Sequence, residues 1–327
     1  MNSTFDIQRL VQVSKMYYYQ GFTQEKIAKE FRISRSTVSM LLTEAKNSGI
    51  VKIQIKDPSV NNEELAHEFE MRFGLDKCLV IPINTDNDKL TLKIVASQAA
   101  TFAAESMYSH SSVGISWGSA CYEFMQTFSE DTNLCDICVV SLIGGSPLLS
   151  SEFQLNESVR TFAEKLCGIP VFIYAPGYVD SLQDKERFLE SMYMKAITEK
   201  WNHLDFAVLG IGAPPELYDV NQNELHHLSM LEEINKYPDM AVGDFCSRRF
   251  NIKGEVLSCE HNNKLLGIDF DSLKNTKHIM AIAIGSTKIF SIIGALNTKI
   301  LNCLVTDENT AKNVLNILDS KQLNILD

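Results

Sequence analysis

The chain has 327 residues and a formal net charge of −11 at neutral pH, with 45% hydrophobic and 22% charged residues, a composition typical of a globular protein with room for a small and a larger domain. No run of about 18 uninterrupted apolar residues occurs, and the amino terminus lacks a basic segment followed by an apolar core, so neither a membrane span nor a signal peptide is predicted. We therefore expect a cytoplasmic protein with reduced cysteines.

The first fifty residues carry the start and stop signals of a helix-turn-helix. A first helix is predicted over residues 6–20. Thr23 can cap a short helix over residues 24–30, and Ser34 can cap a second helix that ends before Gly49. Two helices joined by so short a turn are typical of a helix-turn-helix. Their apolar residues fall on facing sides: Ile27, Ala28 and Phe31, then Val38, Leu41, Leu42 and Ala45.

The opposite side of the second helix carries hydroxyls, cations and a flexible apolar side chain, which suit base edges and phosphates in a major groove. Arg35, Ser36 and Ser39 occupy the amino-terminal part that such a helix presents to bases. The alternative is an ordinary helical hairpin with a solvated face, and Thr37 could face inward. The predicted DNA contacts are Thr23, Gln24, Ser34, Arg35, Ser36, Thr37, Ser39, Met40, Thr43 and Lys46.

Charge favours the DNA-binding interpretation of this segment. Residues 1–56 hold 9 Lys and Arg against 4 Asp and Glu, whereas the rest of the chain holds 21 against 37. A basic end on an acidic chain is the electrostatic pattern of a nucleic-acid module.

The end of this segment predicts a strand and a linker. Residues 51–55 alternate apolar and polar side chains, so they form either a wing whose lysines face phosphate or a connecting strand with solvated lysines. Pro58 and its polar neighbours predict a linker over residues 57–62. We therefore expect a winged-helix-like DNA-binding domain over residues 1–56 and a second domain over residues 63–327.

The second domain alternates short apolar runs with helical patterns, among them helices predicted over residues 62–73 and 90–107. Short, wholly apolar runs between helices are typical of a parallel sheet that is buried on both faces, so we predict a Rossmann-like α/β fold. The predicted strands cover residues 78–83, 112–115, 137–143, 171–174, 206–211, 279–284 and 300–305.

Small and polar residues follow several of these strands, at the edge where open parallel sheets bind ligands. Loop amides at a helix amino terminus favour an anion, so Ser116 and Ser119 could hold a phosphate with Lys288 as its countercharge. Asp244 and Asp307 could accept sugar hydroxyls or, alternatively, cap the structure that follows them. Each glycine loop could equally be a simple strand–helix turn. The predicted effector contacts are Ser116, Trp117, Gly118, Ser119, Gly144, Gly145, Gly212, Asp244, Lys288 and Asp307.

Cys135 and Cys138 form a CxxC pair that could belong to a zinc site. Such a site needs two more ligands at suitable spacing, none is evident in the sequence, and the pair leads into an apolar strand. His226 and His227 likewise lack a partner cluster and are interpreted as surface residues. We therefore predict buried, structural cysteines, no metal site and no cofactor.

Two sets of motifs resemble the SorC family of bacterial sugar-responsive transcriptional regulators. The amino-terminal set comprises Tyr17-Tyr18, Gly21-x-Thr23-Gln24-x-x-Ile27-Ala28, Ile33-Ser34-Arg35-x-Thr37-Val38-Ser39 and Gly49-Ile50-Val51. The second set comprises Gly114-Ile115-Ser116-Trp117-Gly118, Gly144-Gly145, Gly210-Ile211-Gly212, Gly243-Asp244, Lys288 and Leu304-Val305-Thr306-Asp307-Glu308-x-x-Ala311. The two sets follow the family pattern in order along nearly the whole chain.

This resemblance implies an effector domain similar in fold to the glucosamine-6-phosphate deaminase and ribose-5-phosphate isomerase group, a sugar or sugar-phosphate effector, and a tetramer. Some members of the family hold their effector through a Schiff base to a lysine just after the paired glycines. Here Ser146 and Pro147 follow Gly145, and no lysine occurs through Ser158. The chain therefore departs from the pattern for covalent capture.

From these observations we predict a DNA-binding transcriptional regulator of a carbohydrate-utilisation operon rather than an enzyme. Its partners would be a pseudo-palindromic operator, as symmetric dimers require, and a phosphorylated sugar or polyol, in a homotetramer built as a dimer of dimers. The alternative is a sugar-phosphate isomerase or deaminase with an accessory amino-terminal domain. That chemistry needs a general base, for which Asp244 and Asp307 are the candidates, since no histidine falls on a strand-end loop.

Overall fold

The computed structural model of the protein describes residues 4–51, 61–130, 133–146, 154–213, 224–320 and 323. The chain forms two compact units, Met1–Pro58 and Ser59–Asp327. Among the described residues, every helix is too short or too polar to cross a membrane.

The first unit is helical, and side-chain caps begin two of its helices. Thr23 Oγ1 accepts a hydrogen bond from the Lys26 N–H at 3.2 Å, and Ser34 Oγ accepts one from the Thr37 N–H at 3.0 Å, so both predicted caps are confirmed. Its elements are α1 (Thr4–Ser14), a π-helical turn (Lys15–Tyr19), α2 (Gln24–Phe31) and α3 (Arg35–Asn47). The buried core of this unit includes Val13, Ile27, Ala28, Val38 and Leu42.

The first helix differs from its prediction. It is a regular α-helix only as far as Ser14, and Lys15–Tyr19 continue it as a π-helical turn. Three consecutive residues, 16–18, pack against the core there, which the stripe of a regular amphipathic helix does not provide. The strand predicted over residues 51–55 lies outside the described residues, apart from Val51.

The second unit is built on a seven-stranded sheet and a separate antiparallel pair of strands. The strands of the sheet are β1 (Lys77–Ile81), β2 (Ser112–Ile115), β3 (Cys138–Ser141), β4 (Ile169–Val171), β5 (Phe206–Gly210), β8 (His278–Ile282) and β9 (Cys303–Asp307), and the antiparallel pair comprises β6 (Gly243–Phe245) and β7 (Arg248–Phe250). Neighbouring strands of the sheet are all parallel, and their order is β1-β9-β8-β5-β2-β3-β4. Most positions of these seven strands are buried, as the apolar runs predicted, so the α/β fold is confirmed.

Helices connect the strands and cover the sheet. The described helices of this unit are α4 (Glu63–Phe73), α5 (Asp88–Ser106), α6 (Ser119–Thr127), α7 (Leu155–Lys165), α8 (Leu182–Glu190), α9 (Met192–Trp201), α10 (Glu224–Lys236), α11 (Glu260–Asn263), α12 (Phe270–Lys274), α13 (Ile289–Asn297) and α14 (Glu308–Asp319). A 3-10 turn, Ser286–Lys288, leads into α13.

The strand order reverses between β2 and β5. From β2 the chain builds outward through β3 and β4, whereas from β5 it builds the other way through β8 and β9. The register pairs Ile115 with Val208, so the loop after β2 and the end of β5 lie side by side. In open parallel sheets, ligands bind in the crevice at such a reversal, beyond the carboxyl ends of the strands.

The antiparallel pair β6–β7 was not predicted from the sequence. Its two connecting residues, Cys246 and Ser247, both have left-handed backbone angles, with φ of 50° and 62°. Such a tight turn is usually signalled by Asn-Gly or Asp-Gly, and Cys-Ser carries no such signal. The Asp244 carboxylate supports the turn instead, because its Oδ1 accepts a hydrogen bond from the Ser247 N–H at 2.9 Å.

Four of the eight cysteines contradict the prediction that all are buried. Cys135 and Cys167 are exposed, and Cys138 and Cys259 are half-buried. Cys135 lies in the loop before β3 rather than in the strand itself, and Cys167 lies in the turn between α7 and β4, so neither belongs to the apolar run that follows it. The strand predicted over residues 300–305 also starts later, at Cys303, after a turn at Lys299 with φ of 57°.

Candidate functional site

Arg35 is the first residue of α3 and follows directly on the Ser34 cap. Its side chain is 70% exposed, and its guanidinium lies 4.0 Å from the carboxylate of Glu25 on α2. An exposed ion pair of this kind contributes less than about 1 kcal/mol, so it costs little to exchange Glu25 for a phosphate or a base edge. Arg35 is therefore available at the position from which a recognition helix contacts bases.

The remaining candidates form a polar face on α3. Thr43 Oγ1 donates to the Ser39 carbonyl at 3.0 Å, and Met40 is 61% exposed although it is apolar. Thr37 is half-buried, and its hydroxyl lies 2.7 Å from Ser34 Oγ. The exposed members of this face are Arg35, Ser36, Ser39, Met40, Thr43 and Lys46.

A shallow groove adjoins the start of α3. Thr23 is exposed and Gln24 is half-buried, and both line this groove together with Arg35. The other lining residues are Tyr17, Gly21, Phe22 and Glu25. Thr23 and Gln24 therefore lie beside the exposed face of α3, where contacts to a phosphate backbone would reinforce base contacts.

The loop after β2 leads straight into α6. Gly118 begins this helix with φ of 114°, which favours glycine, and it has no side chain with which to cap the first amides. A Cβ atom built on Gly118 meets nothing within 4 Å, so open space adjoins it. Ser116 is buried and Ser119 is exposed. The loop thus has the form of an anion cradle at a helix amino terminus.

The paired glycines after β3 lie against a neighbouring segment. A Cβ atom on Gly144 would come within 2.5 Å of the Pro176 carbonyl oxygen, so glycine is required there. The Gly145 N–H donates to the Ala175 carbonyl at 2.9 Å. A Cβ atom on Gly177 would lie 3.2 Å from the ring of Trp117. The Trp117 loop and the paired glycines therefore meet at Gly177.

Gly212 and Asp244 are brought into direct contact. Two backbone hydrogen bonds join them, with the Gly212 N–H donating to the Asp244 carbonyl at 3.0 Å and the Asp244 N–H donating back at 3.2 Å. A Cβ atom on Gly212 would lie only 1.9 Å from Asp244 Oδ2. Burial raises the pKa of the Asp244 carboxyl, while Lys288 and the Ser247 amide oppose the rise. Asp244 and Lys288 are therefore electrostatically coupled at this edge of the sheet.

Asp307 caps helix α14. This is the capping role that the sequence analysis gave as the alternative to contacts with sugar hydroxyls. Its Oδ1 accepts a hydrogen bond from the Thr310 N–H at 3.0 Å, and its Oδ2 accepts one from the Thr310 hydroxyl. The same Thr310 oxygen accepts the Gly285 N–H at 2.7 Å. Gly285 begins the 3-10 turn that carries Lys288, so Asp307 acts on this loop through Thr310.

Sequence reasoning assigned no role to several residues around Asp244. Cys246 is buried and hydrogen-bonded to Ser116, and burial raises the pKa of its thiol to about 12. Tyr178 Oη lies 2.7 Å from His261 Nε2, which lies 2.9 Å from the Ser247 carbonyl oxygen. These residues are far apart in the sequence, and no spacing rule connects them.

Arg248 is a further cation beside this site. Its guanidinium donates hydrogen bonds to the carbonyls of Ile268, Asn262 and Gly267 at 3.2–3.3 Å. Burial lowers its pKa, and Asp269 opposes that effect. Arg248 therefore braces the β6–β7 hairpin against the segment that contains Gly267.

The two units define a class of protein. One presents an exposed hydroxyl and cationic face on the second helix of a helix-turn-helix, and the other gathers glycines, hydroxyls and a buried acid at the reversal of a parallel sheet. Together they are the parts of a DNA-binding regulator that responds to a small polar ligand.

Comparison with known proteins gives the family. Residues 57–316 match the family model described as "Putative sugar-binding domain", and residues 8–47 match "Sigma-70, region 4". The first match spans most of the chain, and the chain belongs to this SorC-type family of sugar-binding transcriptional regulators.

Three relatives support that conclusion. The sorbitol operon regulator of Klebsiella pneumoniae is 28% identical over 96% of this chain and 100% of its own length, and its full-length crystal structure matches with a TM-score of 0.74 over the same shares of the two chains. The deoxyribonucleoside regulator of Bacillus subtilis is 28% identical, with 94% of this chain and 97% of that protein covered. The transcriptional regulator LsrR of an Enterobacter species is 28% identical, with 94% and 92% covered. These relatives support a sugar-responsive transcriptional regulator over the isomerase or deaminase alternative.

Proposed function

We propose that this protein binds operator DNA through the exposed face of α3. A phosphorylated sugar or polyol binds in the strand-end crevice of the second unit, and the protein then dissociates from the operator or changes its arrangement on it. The observation that carries the proposal is the Asp244 carboxylate, held against Gly212 and coupled to Lys288 at the edge where the strand order reverses. A buried acid beside a cation and open loop amides suits a ligand with both hydroxyls and an anionic group.

The proposed effector contacts keep nine of the ten residues predicted from sequence, and Asp307 is given a different role. Ser116, Ser119 and the amides of Gly118 would hold the anionic group with Lys288, and Asp244 would accept a hydroxyl. Asp307 would position the Gly285 loop through Thr310 instead of contacting the effector. Trp117 and the glycines would shape the walls of the crevice.

The proposal also covers the domain boundaries, the oligomeric state and the location of the protein. We assign residues 1–56 to DNA binding, residues 57–62 to a linker and residues 63–327 to effector binding, in a cytoplasmic homotetramer on a pseudo-palindromic operator. If the effector changes the affinity for DNA by a given factor, DNA changes the affinity for the effector by the same factor, because the two binding equilibria are linked.

An operator titration tests the DNA interface. Arg35→Ala should weaken specific binding by about 10- to 100-fold, the loss expected when a bidentate base contact worth about 1–3 kcal/mol is removed. Arg187→Ala is the matched control, because it removes an exposed arginine from α8 in the other unit. Equal operator affinity for Arg35→Ala and wild type, measured by gel shift at fixed salt, would remove Arg35 from the interface.

A thermal-shift screen tests the effector site. Hexose, pentose and polyol phosphates would be compared with their unphosphorylated parents, because a ligand that binds the native state raises its melting temperature. Lys288→Gln should reduce the shift given by the phosphorylated members, whereas Lys195→Gln, at an exposed position of α9, should not. Shifts that are equally large in wild type and Lys288→Gln would exclude Lys288 as the countercharge.

A further inference from the structure

A histidine, a cysteine and an aspartate converge at the amino-terminal edge of the sheet, opposite the effector loops. His110 lies two residues before β2, and Cys135 and Asp136 lie shortly before β3. One possible ligand atom from each side chain lies within 4.8 Å of the other two. We propose that His110, Cys135 and Asp136 bind a divalent transition-metal ion of the zinc class.

The distances fit such an ion. Zinc bonds of about 2.0–2.3 Å in a tetrahedral arrangement place neighbouring ligand atoms roughly 3.3–3.8 Å apart. His110 Nδ1 and Asp136 Oδ2 are already 3.6 Å apart. All three ligand atoms lie within 4.8 Å of one another, so a bound ion would draw the Cys135 thiol towards the other two groups.

The chemistry of the three groups also fits. Imidazole, thiolate and carboxylate together form a ligand set that zinc and cobalt accept, whereas magnesium and calcium prefer oxygen ligands. His110 is 74% and Asp136 65% exposed at the side chain, so a water molecule can complete the coordination. The metal replaces the proton of the Cys135 thiol, which is released to solvent, and affinity therefore falls as the pH is lowered.

Hydrogen bonds from backbone amides hold the two loops in place. The His110 N–H donates to the Cys135 carbonyl at 3.0 Å, and the Cys135 N–H donates to Ser109 Oγ at 3.1 Å. Further along, the Cys138 N–H donates to the Ser111 carbonyl at 2.9 Å. A metal at this point therefore meets ligands that are already ordered, and it would join the starts of β2 and β3.

The spacing of the CxxC pair does not point to the proposed ligands. The sequence invites a search for ligands near Cys135 and Cys138, but the partners of Cys135 are Asp136, next to it, and His110, which is brought in by the pairing of β2 with β3. Cys138 lies 3.8 Å from the ammonium group of Lys200 instead.

Cobalt binding to the untagged, reduced, full-length protein tests the proposal. The wild type should bind one Co²⁺ with the thiolate-to-metal absorption band of a cysteine ligand, and Zn²⁺ should displace it. Cys135→Ser should abolish the band. His110→Ala and Asp136→Asn should each weaken binding at least about tenfold. Saturating Zn²⁺ should raise the melting temperature of the wild type but not of Cys135→Ser.

Cys167→Ser is the matched control. Cys167 is an exposed cysteine near this site, and the Asp136 N–H donates to its backbone carbonyl at 3.1 Å, which the substitution preserves. This variant should bind Co²⁺ like the wild type. The proposal is overturned if the wild type shows no thiolate band, if the band persists in Cys135→Ser, or if Cys167→Ser loses it as well.

Discussion

The two functional surfaces of this protein differ in how they are built. Most DNA-binding candidates are exposed side chains of one helix, α3, so they lie close to one another in the sequence as well as in space. The effector candidates come from the ends of several strands, and the Asp244 carboxylate fills the space that a side chain at position 212 would need. On α3, function can be changed with little effect on folding, whereas in the crevice a change that alters binding also alters packing.

Gly212→Ala has the largest expected effect, because it tests whether a substitution in the crevice alters packing and binding together. The crevice has no room for one methyl group at this position. The new Cβ atom would lie 1.9 Å from Asp244 Oδ2, so the buried Asp244 carboxylate must be displaced. We expect a loss of about 1–3 kcal/mol in the free energy of unfolding, measured by urea denaturation, and a loss of effector response.

Gly145→Ala is the control for this substitution. The nearest heavy atom to its Cβ position, the Ala175 carbonyl oxygen, is 4.0 Å away, so the methyl group fits. Its unfolding free energy should stay close to that of the wild type. If both variants lost the same free energy of unfolding, the contact between Gly212 and Asp244 would not be the cause of the destabilisation.

The helix caps Ser34 and Asp307 extend this comparison between the two units. Ser34 is an exposed cap in the first unit, and Asp307 is a buried cap in the second. Asp307→Ala removes a buried cap together with its link to Thr310, and it should destabilise its unit by about 2 kcal/mol. Ser34→Ala removes an exposed cap and should cost about 1 kcal/mol or less.

Hydrogen exchange of the first turns of α3 and α14 measures both effects locally. Asp307→Ala should also speed exchange of the Gly285 amide, which donates to Thr310 Oγ1, whereas Ser34→Ala should leave that amide unchanged. Unchanged protection of Gly285 in Asp307→Ala would contradict the positioning role of Asp307.

The smallest expected effect is a dependence on pH. Burial raises the pKa of Asp244, so the native state holds this proton more tightly than the unfolded chain does. The associated stability is fully present below the unfolded pKa and is lost as the pH rises through the folded pKa. Relative to Asp244→Asn, the wild type should therefore lose stability as the pH rises from acidic values through the raised pKa of Asp244.

Urea denaturation of both proteins across that range checks the sign. A wild-type stability that rises relative to Asp244→Asn over the same interval would show that Lys288 and the Ser247 amide outweigh burial, which would make Asp244 a permanently ionised partner of Lys288.

Much of the local structure could be predicted because its signals lie within a few residues. Thr23 and Ser34 each cap a helix by reaching an amide three residues ahead, and the apolar run at residues 112–115 is itself strand β2. The parallel sheet followed from short apolar runs between helices, since only strands covered on both faces are apolar throughout.

The candidate sites also differ in how far they could be predicted from signals within a few residues. The exposed positions of α3 followed from its 3.6-residue period. By contrast, the turn at Cys246 and Ser247 has two left-handed residues without a glycine, so no local preference predicted it. The capping role of Asp307 was one of two readings that its sequence position allowed, and the atoms of Thr310 decided between them.

The sequence by itself determined the kinds of element, their caps and the basic character of the amino-terminal unit, because these depend on interactions a few residues apart. The tertiary structure decided which strand ends meet, that Gly212 lies beneath Asp244, and that His110 lies beside Cys135 and Asp136. Those contacts depend on strand order and register, which join residues that are distant in the chain and leave no periodic mark in it.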